Sequence, residues 1–171
     1  MANYHMPTVV APEIPASDVT PLERRILALA LEEGQGADGG LSFYSWEGAS
    51  DIVSIDPDDL RSTWAASKDR DSRLNAVAAA LLAQYTAGDP EERDSTIDVR
   101  LDEGPVGIAE ILQDIIRRSP SLREIVLHIS FMCTAIRRDG FGGSVTRITA
   151  DTMQHYSTDE ILEQMRKDTP I

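Results

Sequence analysis

The sequence predicts an α+β fold: a single domain with a mixed sheet of about five strands, helices packed on it, and one βαβ unit. Three observations carry this. Several segments repeat apolar residues every three or four positions behind clear cap signals. Others alternate apolar and polar residues, as half-buried strands do. Across residues 95–133 an alternating strand, an amphipathic helix and a continuous apolar run follow one another, which is the order of a βαβ unit. The length of 171 residues suits one domain with a sizeable core.

Residues 1–19 carry Pro7, Pro12 and Pro15 without a clear period, and read as a flexible N-terminal arm ahead of a domain spanning 20–171. Thr20-Pro21-Leu22-Glu23 opens a helix. Thr20 can cap it, Pro21 suits the first helical position, and Glu23 completes a capping box. Leu22, Ile26, Leu29 and Ala30 share its inner face, and Gly34 stops it before the flexible loop GQGADGG at 34–40. LSFYSW (41–46) and DIVSI (51–55) read as a hairpin around EGAS. Asp56-Pro57 starts a second helix running to about Ser67. The third, at 71–88, lines up Leu74, Val77, Ala78, Leu81, Leu82 and Tyr85 before Gly88.

After the acidic loop at 88–94, Ile97, Val99 and Leu101 alternate with Asp98 and Arg100 along a strand with one wet face. In the helix at 104–120, Ile108, Ile111, Leu112, Ile115 and Ile116 form the buried stripe. Arg117 and Arg118 in its last turn favour the helix dipole. REIVLHISFMC (123–133) is almost unbroken apolar sequence and predicts a central strand buried on both faces. GSVTRIT (143–149) is one more strand, Asp151 caps a short turn through His155, and Ser157 with Glu160 forms a second capping box for a last helix.

Composition narrows the function classes. Twenty-nine acids against 16 bases give a net charge of −13, which disfavours direct contact with nucleic acid or an anionic membrane. No apolar run is long enough for a membrane span, and the first residues lack a secretory signal pattern. Cys133 is the single cysteine, so neither an internal disulfide nor a multi-cysteine zinc site is available. A cytoplasmic protein is expected, and no motif implies a metal or cofactor.

The most distinctive stretch is RRDGFGGSVTRITAD, residues 137–151. Its glycines do not follow the dinucleotide-binding or P-loop order, and its acids do not follow the calcium-loop order. It reads as a hairpin loop with glycines at positive φ. The functional alternative is an anion cradle made by Arg137, Arg138, Asp139, Gly140, Phe141, Gly142 and Gly143.

The segments TPLERRILALALEE, DIIRRSPSLR, RRDGFGGSVTRITAD and STDEILE resemble those of an uncharacterised family of bacterial, mainly proteobacterial, proteins. The resemblance implies a bacterial cytosolic origin and carries no assigned activity.

Catalytic pairings are weak. His128 and Cys133 lie five apart on one strand and therefore on opposite faces. Asp151 and His155 are half a metal site at best. Tyr44 and Trp46 are better candidates for binding. With Leu41 and Phe43 turned to the core, these two aromatics face the other way, either covered by a helix or available as an interface. The sequence therefore points to a non-catalytic protein-interaction or regulatory domain, with an unidentified protein or a second copy as partner. The alternatives are a small-ligand-binding domain or enzyme with its site at 137–143, and an acidic nucleic-acid mimic.

Overall fold

The structure, a computed structural model, describes residues 3–36, 39–89, 91, 93–135 and 140–168. Local cap chemistry sets where the helices begin. Helix α1 (Pro21–Ala30) starts at the expected capping box: Glu23 N donates to Thr20 Oγ1 at 3.3 Å, and Thr20 N donates to Glu23 Oε2 at 2.9 Å. Helix α2 (Pro57–Ser67) is capped by Asp56, which accepts from the amides of Asp58 and Asp59. Helix α3 (Arg73–Ala87) buries Leu74, Ala78 and Leu82, and α4 (Ile108–Arg118) buries Ile111, Leu112, Ile115 and Ile116. Helix α5 (Thr158–Asp168) has the second capping box, with Ser157 N donating to Glu160 Oε2 at 2.8 Å. It buries no side chain.

The strands are β1 (Tyr4–His5), β2 (Thr8–Ala11), β3 (Ile14–Pro15), β4 (Glu32–Gln35), β5 (Gly40–Ser45), β6 (Ile52–Ile55), β7 (Ile97–Arg100), β8 (Glu124–Cys133), β9 (Phe141–Thr149) and β10 (Met153–Ser157). Eight of them form one sheet in the order β10-β9-β8-β2-β5-β3, with β1 on β8 and β4 on β5. Strands β6 and β7 pair separately. The class is α+β, as the sequence predicts.

Several finer expectations are corrected. Every pairing among the described residues is antiparallel, so the sheet is not mixed, and it is larger than five strands. There is no βαβ unit: β7 pairs with β6, while β8 belongs to the large sheet. The segment read as a flexible arm supplies three strands. Its β2 lies between β8 and β5, with Thr8 and Val10 buried and Ile14 fully buried just beyond. Strand β5 does not turn back on β6; its hairpin partner is β4, inside what reads as a helix end and loop. Residues 153–157 form strand β10 rather than a turn, so Asp151 and His155 share no helical face.

Helices α1 and α4 pack near the sheet and α2 and α3 pack on them, so a single core runs through Phe43, Ile26, Leu60, Ile111, Ile115 and Ile125. Two ion pairs join the helices, the first buried and the second with its arginine partly exposed. Arg118 donates from Nη2 to Glu23 Oε2 at 2.6 Å and from Nη1 to the Asp71 carbonyl. Asp114 accepts from the Arg73 amide at 2.8 Å and from Arg73 Nε at 3.0 Å. The arginines expected only to suit the α4 dipole thus bind specific partners; Arg117 also donates from Nε to the Ala150 carbonyl. Among the described residues no helix is long and apolar enough to cross a membrane.

Candidate functional site

Alternation decides which side chains of the sheet meet the helices. Along β8, Ile125, Leu127 and Cys133 are buried, whereas His128 and Ser130 are exposed. The expectation that this strand is buried on both faces is corrected: it has a covered face and an open one. Cross-strand partners in an antiparallel register share a face. The register runs Tyr44–Val9 from β5 to β2, Val9–His128 to β8, His128–Val145 to β9 and Val145–Tyr156 to β10. These five residues make one unbroken row across the open face.

A second row lies four residues along the strands. His5 pairs with Met132, and Met132 with Phe141. Between the rows the chain places small groups: Ser130 is opposite Gly143, and Ser130 N donates to the Pro7 carbonyl at 2.8 Å. Trp46 bounds the β5 end, its indole 5.8 Å from the His5 ring. The apolar members Val9, Tyr44, Trp46, Val145, Tyr156 and Phe141 are 40–58% exposed, which scattered surface residues would not require explaining but two aligned rows do. The result is a shallow channel. The rows are about 13 Å apart at roughly 3.3 Å per residue; the first crosses five strands, about 19 Å at roughly 4.8 Å per strand, and the second crosses β1, β8 and β9.

Tyr44 and Trp46, singled out from the sequence, therefore lie on an open surface, and no helix covers them. Of the glycine-rich stretch, Arg137, Arg138 and Asp139 lie outside the described residues. Gly140 is buried, and its carbonyl accepts from Cys133 N at 2.7 Å, closing the β8–β9 hairpin. Phe141, Gly142 and Gly143 are strand residues of β9. The expectation of positive φ at these glycines is corrected: positive φ occurs at Gly39 and Gly48. Close approach explains Gly143 instead, because a Cβ there would sit 2.7 Å from the Ile129 carbonyl oxygen. Gly143→Ala is expected to lower stability by roughly 1–3 kcal/mol, as overpacking does. Chemical denaturation checks this, and an unchanged midpoint would refute the close-contact account.

His128 is exposed on the open face, while Cys133 is buried on the other, so the two do not meet. Among the described residues no group of three or more His, Cys, Asp or Glu is placed to hold a metal. The resolved pKa shifts belong to an ion pair and a cap. The Glu33 carboxyl is held below its usual range by hydrogen bonding to Arg24, and Glu160 by the Ser157 amide.

Sequence reasoning missed Val9, Val145 and Tyr156. Their common signal is an exposed apolar residue at an outward strand position, but only the register joins them. No protein-family model, curated protein or solved structure matches the chain.

Proposed function

We propose that this protein is a non-catalytic interaction domain that holds an amphipathic helix of a protein partner on the open face of its sheet. The row Tyr44–Val9–His128–Val145–Tyr156 carries this reading. Aromatic and aliphatic side chains on a surface without a covering layer are what a partner's apolar face can desolvate. The spacing favours a helix as the occupant: rows about 13 Å apart accommodate a helix about 10–12 Å across. Many carboxylates that a nucleic-acid mimic would need free are paired instead, among them Glu33 with Arg24, Asp59 with Arg25, and Glu124 with Arg147. The resemblance to a bacterial family supports a bacterial cytoplasmic setting.

A photo-crosslinking residue at position 145, compared in the native host with one at exposed Asp69 on the helical side, tests this reading. A covalent adduct to a helical segment is expected from position 145 and none from position 69. Equal adducts from both positions, or none from 145, would end it.

A further inference from the structure

Helix α5 raises a question that its own domain does not answer. Its capping box fixes its start, yet Ile161, Leu162 and Met165 all remain exposed and the helix buries no side chain. Among the described residues, therefore, the apolar stripe of α5 and the open channel both remain exposed. We infer that the channel receives α5 of a second copy of this chain, in a two-fold dimer in which each copy lends its last helix to the other. This rests on the reading of the open face as a helix-binding surface and names its occupant.

Three observations favour a second copy. The first is size. Eleven residues of α5 span about 16 Å at 1.5 Å per residue, close to the channel's length of about 19 Å. The second is position. Thr158, the first residue of α5, sits at the β10 end of the channel, where its Oγ1 accepts from Gly143 N at 3.3 Å. A two-fold axis beside the β10 edge brings each α5 to the mouth of the partner's channel, with its N-terminal end nearest the mouth and its C-terminal end pointing inward.

The third is charge. In that orientation the acidic first half of the incoming helix, Asp159, Glu160 and Glu163, lies toward the β8–β9 side, where His128 and the Arg147–Glu124 ion pair share the open face. The basic second half, Arg166 and Lys167, lies toward the β4–β5 side, where Glu32 and Glu47 stand exposed. Reversing the helix would place its acidic half against Glu32 and Glu47, so one direction is selected. Ile161, Leu162 and Met165 then meet Val145, His128 and Val9.

The test uses full-length chains and complementation. One variant, Ile161→Glu with Leu162→Glu, spoils the helix and leaves the face intact. The other, Val145→Glu, spoils the face and leaves the helix intact. All these positions are exposed, so both variants are expected to keep the wild-type melting transition. Light scattering should give a dimer mass for the wild type and a monomer mass for each variant alone. An equimolar mixture should regain a dimer, because it restores one intact helix-on-face contact.

A monomeric wild type would overturn the inference. So would a variant that stays dimeric alone, since a dimer of Val145→Glu means helix pairs with helix and a dimer of Ile161→Glu with Leu162→Glu means face pairs with face; two monomeric variants that fail to complement would overturn it as well. The wider reading fails separately: a crosslink from position 145 to another protein's helix sinks only the second copy, whereas no crosslink at all sinks the helix-binding face.

Discussion

Arg118→Met is expected to destabilise the protein by about 3–5 kcal/mol, the cost of leaving a buried charge without its partner. Glu23 is fully buried, and its Oε2 accepts both from Thr20 N and from Arg118 Nη2. The guanidinium also reaches the Asp71 and Asp18 carbonyls, so one side chain joins the segment before α1, the start of α1, the loop before α3 and the end of α4. Methionine keeps much of the volume and removes the charge. The companion change Glu23→Gln preserves the bond from Thr20 N and removes the stranded carboxylate. The double variant should therefore recover most of the loss, because replacing both members of a buried pair is often close to neutral. Urea unfolding of the four chains forms the cycle. A single-variant loss below about 1 kcal/mol would show that the pair behaves as an exposed one.

Removal of residues 1–15 is expected to abolish cooperative folding. An arm can be cut without consequence, but β2 is an interior strand with neighbours on both sides. Its loss would strip ladder partners from β5 and β8 and leave those backbone groups unpaired beside the core. It would also remove Val10 and Ile14, two buried core side chains. Each is comparable to a large-to-small core substitution of about 2–5 kcal/mol, against a total stability of about 5–15 kcal/mol. Near-ultraviolet circular dichroism and a thermal scan report the outcome. A truncated chain that melts cooperatively at the wild-type temperature would make the segment an arm after all.

Local chemistry explains what was legible in the sequence. Thr20 with Glu23, Asp56 with Pro57, and Ser157 with Glu160 act within one helical turn, so their spacing in sequence is their spacing in space. The outward direction of Tyr44 and Trp46 follows from strand alternation alone. What alternation lacks is the identity of the neighbour. Ile97, Val99 and Leu101 show an inner face equally well beside β6 or beside β8, and the βαβ expectation chose wrongly. Short strands also escape: β1 and β3 have two residues each, Pro7 and Pro12 interrupt the period, and the polar run of β4 resembles a loop. Half of the candidate site was therefore visible as single residues, but its two rows depend on pairings between distant segments. Likewise Glu23 and Arg118 each had a sufficient local reason to exist, and nothing local announced their contact.

The insertion of β2 between β5 and β8 also sets a timetable for synthesis. Strand β2 leaves the ribosome ahead of both neighbours, and β5 can meet it soon afterwards. Its other neighbour, β8, follows far later in the chain, with Thr8 pairing to Ile129. Until that strand emerges, one side of β2 keeps unpaired amides and carbonyls, and Val10 waits for part of its cover. Closing so long a loop is slow relative to helix formation. The nascent chain thus carries an open strand edge from the emergence of β2 until that of β8, the interval in which wrong pairings between neighbouring chains are easiest to make.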